Sequence, residues 1–474
     1  MIFNSFEFAV FFAAVFPLYW LLRLRAQNLF LIAASYLFYG WWDWRFLFLL
    51  AGTTLIDFWA VRRIGAAGDD ERRRRGWMIF SVAINLAVLG FFKYFDFFVE
   101  SGASTLSKLG VDWSEPALRF ALPVGISFYV FHEISYAVDV YRRRVEPETD
   151  LVVYALYIAF FPQLVAGPIT RAGHMLPQFR RARTFPDADE RYSAFVLVLS
   201  GLFKKVVLAD GLAGAVNEIF GSPDDRGLLP LLVAMFAFSV QIYGDFAGYT
   251  DIARGLARLL GIEIARNFEQ PYLARNITEF WRHWHISLSS WLHDYLYVPL
   301  GGNRSGRWAT YRNLMIVMLL GGLWHGASWH FVVWGGLHGA ALALHRAFGR
   351  DVDRGRAALP AWRDVPAIAA NFVFVSVLWV FFRADSFSDA LDFFGGMTAG
   401  LTGPAAGAWK PVAVTLAVFV PIMLAMDLLD RGRVQLAPLR RIPALVQGVL
   451  AGAAVVALIV YSGGAPEPFI YFQF

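Results

Sequence analysis

The sequence contains no cysteine among its 474 residues, which excludes disulfides, thiolate metal sites and cysteine nucleophiles. Charge is scarce too: 17% of residues are charged, where about 25% is usual for a soluble domain. A water-soluble enzyme of this length needs far more polar surface than that. The motifs of soluble enzymes are missing as well. There is no Gly-x-Ser-x-Gly elbow, no phosphate-binding loop and no dinucleotide fingerprint. His132-Glu133 is followed by Tyr136 where a zinc hydrolase carries its second histidine. No Lys or Arg precedes the first apolar run, Phe6 to Leu22, whereas Arg23 and Arg25 follow it. A cleavable signal has the opposite layout, so this run is expected to be a retained span.

What the chain has in abundance is apolar surface. Hydrophobic residues make up 58% of it, with 45 Phe and 17 Trp, and mean hydropathy is +0.50. Apolar runs recur at 6–22, 28–42, 46–61, 77–99, 117–141, 193–220, 228–250, 366–382, 411–427 and 442–461. At roughly 20 residues per crossing these give about ten transmembrane helices. The net charge is only +5, and the arginines are clustered in loops. That pattern reports topology, with no nucleic-acid partner expected. Segments 62–76, 142–150, 171–191, 254–312, 346–363 and 431–441 are basic and predicted to lie inside. Segments 100–116, 223–227 and 384–410 are acidic or nearly neutral and predicted outside, with both termini. The expected fold is an all-α polytopic membrane protein, one integral-membrane domain over 1–474.

Two apolar runs break the alternation. Leu151 to Gly167 and the run 313–345 are basic at both ends, so each is expected to enter and leave through the cytoplasmic face. Such re-entrant segments are tolerated where protein or a watery cavity satisfies their backbone, which implies a central cavity or tunnel. Six of the nine histidines lie from His283 to His338. The stretch Glu279 to Arg304 reads as an amphipathic helix at the interface, with Phe280, Trp284, Leu288 and Trp291 on one face. His325 follows Arg312 by enough residues to sit about 20 Å inward from the basic edge. An ionisable group at that depth is a functional candidate, although a glycine-lined packing interface with a satisfied core histidine fits the same pattern. Gly321, Gly322 and Gly326 permit close helix approach or a local break. Of the acids in or near spans, Asp245 and Asp251 could order an arginine-rich cavity mouth or simply cap the bundle.

FFPQLVAGPITR (160–171), GLFKKVVLAD (201–210), QIYGDFAGYTDIA (241–253), NFEQPYL (267–273), FWRHWHISLSSWLHDYLYVPLGGNR (280–304) and GGLWHGASWHFVVWGGLHG (321–339) resemble, in order, the motifs of the membrane-bound O-acyltransferase superfamily. The resemblance is to its bacterial branch that O-acetylates alginate, and it runs from MIFNSFEF to FIYFQF. It implies O-acyltransferase activity with the catalytic segments at 267–346, and two functional histidines, His285 and His325, the latter catalytic. Within the same motifs, Trp324, Arg282, Gln241 and Asp245 are the further candidates for contact with substrate. His283 and His293 stand where relatives more often have Arg, and His330 where they have Thr; these three read as local substitutions. His338 reads as a packing or hydrogen-bonding residue. No metal site is expected, since histidines two apart diverge on a helix and no acidic ligand pattern accompanies them.

O-acyl transfer needs a base for the hydroxyl proton, and histidine suits that task. His325 is assigned as base, and His285 as the group that orients the carbonyl or acceptor. The resemblance further implies no bound cofactor, with acetyl-CoA as cytoplasmic acyl donor. It also implies a periplasmic acetyltransferase partner with exopolysaccharide assembly proteins, and a place in the bacterial inner membrane among its lipids. Other acceptors (cellulose, peptidoglycan or a lipid), an acyl transporter and a non-catalytic assembly subunit are the competing readings. The transporter reading lacks the internal repeat it calls for, and the intact WHG motif argues against the assembly subunit.

Overall fold

The structure, a computed structural model, describes residues 1–111, 121–349, 360–404, 409–429, 442–462 and 469–470. The basic segment 431–441 and parts of 100–116 and 346–363 lie outside the described residues. Those described form helices joined by turns and loops, with no strand among them. Two compact units divide the chain: one is Met1 with 5–187 and 257–265, the other 2–4 with 188–256 and 266–474.

The first unit holds α1 (Phe6–Trp20), α2 (Leu24–Gly40), α3 (Phe46–Ala66) and α4 (Glu71–Leu89), which runs through a wider turn into α5 (Phe95–Lys108). Then come α6 (Ile126–Tyr141), α7 (Leu151–Ala159), α8 (Phe161–Leu164) and α9 (Ala172–Arg180). Short polar side chains start α1 and α4: Ser5 accepts from Phe8 N at 3.2 Å, and Asp70 from Arg73 N at 3.1 Å, each filling an orphan donor of a first turn. At the opposite ends, buried Arg74 donates to Ile64 O at 3.2 Å, Val140 O at 2.8 Å and Tyr141 O at 2.9 Å. One guanidinium thus closes the last turns of both α3 and α6. Buried Asp57 accepts from Ser81 and from Tyr154 OH. The run 151–167 forms only the two short helices α7 and α8.

The second unit holds α10 (Ala188–Leu202), a wider-wound stretch Phe203–Asp210, α11 (Gly211–Phe220), and α12 (Leu228–Leu259), whose last residues group with the first unit. It continues with α13 (Ile277–His283), α14 (Ile286–Leu292), α15 (Arg307–His325), α16 (Trp329–Phe348), α17 (Val365–Arg383), α18 (Phe387–Gly396), α19 (Trp409–Leu429) and α20 (Ala444–Tyr461). α12 is the most buried apolar helix of the unit and α20 the most exposed. Leu231, Ala234 and Met235 of α12 meet Ile219, Val380, Ala390 and Phe393 in one apolar core.

Every expected span contains a helix, but among the described residues five helical stretches are long and apolar enough to cross a bilayer: Glu71–Lys108, Leu228–Leu259, Trp362–Arg383, Trp409–Leu428 and Ala444–Tyr461. α1, α2 and α6 are shorter, with 15, 17 and 16 residues, and α3 carries Asp57, Arg62 and Arg63. This is a polytopic helical membrane protein. The run 313–345 is a helical hairpin, α15 and α16, whose arms extend past the apolar run to Arg307 and Phe348.

Candidate active site

All six histidines from His283 to His338 belong to the second unit, and glycine contacts shape the hairpin that carries half of them. A Cβ on Gly322 would stand 2.2 Å from Phe331 O, and one on Gly335 2.2 Å from Met318 O. Only glycine at those positions lets the α15 and α16 backbones meet this closely. His325 is the last residue of α15, and Gly326 turns the chain with extended backbone, φ −161° and ψ 149°. A Cβ there would run into the Phe331 ring at 2.1 Å. The WHG motif is therefore a stop and a turn that leaves His325 at the hairpin tip, 3% exposed.

His285 is placed differently. The expected single helix over 279–304 is interrupted: α13 ends at His283, Trp284 is extended, and His285 has φ 43° and ψ 55°. The left-handed conformation of a non-glycine residue costs on the order of 1–2 kcal/mol, and a long-range tether holds it. Buried Asn267 accepts from Ile286 N through its backbone oxygen at 2.8 Å. Its side-chain oxygen accepts from Ser287 N at 3.2 Å and Ser287 Oγ at 2.6 Å. Glu269 N donates to His283 O at 3.1 Å. The NFEQ motif and the WHIS motif are thus two sides of one pairing. Phe280, Trp284, Leu288 and Trp291, expected on one face of a single interfacial helix, are instead all buried in the protein, contributed by two helices and the break between them.

α13 begins on the Asn276 cap, which accepts from Glu279 N at 2.9 Å. Burial opposes ionisation of Glu279, yet bonds from the Arg275 side chain and backbone hold its carboxyl below the ordinary range.

The two histidines named by sequence share a tryptophan. His285 lies 5.9 Å from Trp324 and edge-on to Phe246 at 4.6 Å, and His325 lies 5.0 Å from Trp324, all between ring centroids. His325 also packs edge-on against Trp334 at 5.1 Å and Phe382 at 5.3 Å. Trp334 continues to Trp379 at 5.5 Å, and Trp379 to Trp284 at 5.0 Å. His285 and His325 thus stand in one aromatic enclosure, with His285 fully buried.

Of the other candidates, Trp324 forms the shared wall, while Gln241 is half-buried on α12 and Arg282 is exposed on α13. Asp245 pairs with Lys205 at 2.8 Å and accepts from Ile470 N at 2.7 Å. Lys205 also meets Asp210 at 2.7 Å, and Lys204 bridges Asp251 and Asp427, both at 3.0 Å. Asp245 and Asp251 therefore help tie the Phe203–Asp210 stretch and α12 together. Phe469, next to Ile470, packs on Phe246 at 5.6 Å. His293 pairs with Asp294 at 2.9 Å on the surface, and His330 Nδ1 lies 3.0 Å from Phe381 O.

Sequence reasoning missed Asn267, Phe246, Trp281, Trp334 and Trp379. The spacing of Trp334 and His338, one helical turn apart, was an available signal; nothing local marked Trp379.

The sequence profile of MBOAT, the membrane-bound O-acyltransferase family, matches residues 126–385, which include both histidines and the whole enclosure apart from Phe469. The chain belongs to this family. It is an O-acyltransferase, similar to proteins named for that activity. A probable alginate O-acetylase AlgI of Pseudomonas putida is 42% identical over 84% of this chain and 80% of its own length. Its counterpart in Azotobacter vinelandii is 43% identical over 84% and 78%. A peptidoglycan O-acetyltransferase of Helicobacter pylori is 36% identical over 81% and 77%.

Proposed function

We propose that this acyltransferase moves acetyl groups to hydroxyls of a cell-envelope polysaccharide of the alginate class, with His325 as general base. The observation that carries the reading is the pair His325 and His285, both packed against Trp324 and both buried in an aromatic enclosure. Such a site shields the reacting thioester from water. The acceptor hydroxyl gives its proton to His325 as its oxygen bonds the acyl carbon. The tetrahedral intermediate then expels the thiolate, which takes the proton back. His285 holds the carbonyl or the acceptor in line. Trp324 and Gln241 are the remaining candidates for substrate contact. Arg282, exposed on α13, is proposed to meet the donor's phosphates.

Acetyl-CoA is the proposed donor, from the cytoplasmic side of the inner membrane. Basic segments 254–312 and 346–363 suit its phosphates. A tunnel would carry the acetyl group toward a periplasmic acetyltransferase partner within the exopolysaccharide assembly machinery. Peptidoglycan is the second acceptor class, favoured by the similarity to the Helicobacter pylori enzyme. The test supplies radiolabelled acetyl-CoA to inside-out membrane vesicles containing the chain, its partner and either polymer. Alkali-labile counts on alginate support the reading, and counts on peptidoglycan alone replace the acceptor. No transfer to either removes it.

A further inference from the structure

The stretch Phe203–Asp210 is wound to an i→i+5 spacing, which brings residues five apart above one another. Lys205 and Asp210 are such a pair, at 2.7 Å, and Lys205 also reaches Asp245 of α12 at 2.8 Å. Each carboxylate has one further partner, and those two partners lie far apart in sequence. Asn4 Nδ2 donates to Asp210 Oδ2 at 3.2 Å, and Ile470 N donates to Asp245 Oδ2 at 2.7 Å. Lys205 and Asp245 are buried, where charges persist only when paired. Through its two carboxylates, one buried lysine therefore holds residues 4 and 470 in place.

The rings beside those two bonds lead to the site. Phe3 stacks on Tyr249 at 4.3 Å, Tyr249 meets Phe469 at 4.9 Å, and Phe469 meets Phe246 at 5.6 Å. Phe246 stands edge-on to His285 at 4.6 Å and touches Phe268 at 5.0 Å. Phe268 and Phe469 thus support the ring that supports His285, and Phe3, Phe246 and Phe469 are all buried. The Asn267 tether bonds Ile286 N and the Ser287 side chain and backbone. It fixes the left-handed turn and leaves the imidazole to be oriented by its ring contacts, Phe246 and Trp324.

We infer that Phe469 is a positioning residue for His285, holding Phe246 against the imidazole while the Lys205 carboxylate pairs hold the backbone beside Phe469. Phe469 acts through Phe246 and makes no contact with the reacting atoms. Without it Phe246 can shift toward the space left, and the imidazole loses the wall that sets its direction. A displacement of about 1 Å at a reacting group costs up to about 10²-fold in rate. The inference rests on the proposed part of His285 in acetyl transfer.

The experiment measures kcat and KM for acetyl-CoA in the vesicle assay, with a melting temperature on each purified protein. It compares wild type, Phe469→Leu, Phe393→Leu, His285→Ala and the Phe469→Leu/His285→Ala double variant. Phe393 is equally buried, in the apolar core that contains neither histidine, so it reports what the loss of one packed ring does by itself. Phe469→Leu is expected to lower kcat roughly tenfold at unchanged KM, whereas Phe393→Leu lowers the melting temperature and keeps kcat within about twofold of wild type. With His285 already gone, Phe469→Leu is expected to cause no further loss, as coupled positions do in a double-mutant cycle. Wild-type kcat in folded Phe469→Leu overturns the inference, and so does a full tenfold further loss in the double variant. If His285→Ala gives no counts, the two leucine variants decide: equal kcat overturns it, and a loss confined to Phe469→Leu supports it. If Phe469→Leu does not fold, Phe469→Met is read by the same criteria. Wild type without transfer removes the proposed function itself. Wild-type turnover in His285→Ala removes the part assigned to His285, and this inference with it.

Discussion

His285 occupies a left-handed backbone position that few residues tolerate, His325 ends a helix, and each is packed against residues remote in sequence. His325 was legible because its motif sits deep in an apolar run; its neighbour Phe382, and Trp379 packed on Trp334 beyond it, were not, because they arrive from α17. His330 shows the other side of the same lesson. It is buried, and its contact is with the backbone oxygen of Phe381, which is a structural link between α16 and α17. His330→Thr is expected to lose that link, with a stability loss of about 0.5–1.5 kcal/mol, and to keep kcat within about threefold. A thermal melt in detergent and an initial-rate assay check both halves. A stable variant without turnover would place His330 inside the chemistry.

At the scale of elements, the hairpin and the broken helix are the two devices that form the enclosure. Gly335→Leu would push a side chain against Met318 O, where even a Cβ has only 2.2 Å. Overpacking of this kind costs roughly 1–3 kcal/mol, and loss of transfer with retained membrane insertion is the expected outcome. Wild-type rates in that variant would mean that the arms need not touch. Asn267→Ala leaves Ser287 N without its side-chain acceptor and loosens the left-handed turn at His285. The expected loss is about 1–3 kcal/mol in stability and at least tenfold in kcat, read by the same melt and rate assays. The apolar runs made the helices legible, since a bilayer demands about 20 residues in one stretch. The break at Trp284 was not legible, because heptad-like spacing continues across it while the tether at Asn267 lies earlier in the chain.

For the whole molecule, charge is the guide to sidedness, and the exposed tryptophans mark interfaces without telling one side from the other. Trp41, Trp42 and Trp44 are exposed together between α2 and α3, and Trp308 and Trp362 are exposed at the starts of α15 and α17, as tryptophans at a membrane interface are. A chain without cysteine permits a direct test. An impermeant maleimide added from outside is expected to label Ser388→Cys and Ser462→Cys, and to spare Ser305→Cys and Trp362→Cys. Outside labelling of Trp362→Cys alone would mean that the hairpin region crosses the membrane an odd number of times. A donor and an acceptor could not then meet His325 from opposite sides as proposed.

The most direct measurement is O-acetyl content of alginate from a Pseudomonas putida strain that lacks its own relative and carries either the wild-type chain or His325→Ala. Removing a general base lowers turnover by about 10²-fold or more. The wild-type chain is expected to restore acetylation, and His325→Ala, present in the membrane at equal amount, to leave it at background. Acetylation at the wild-type level by His325→Ala would contradict the account.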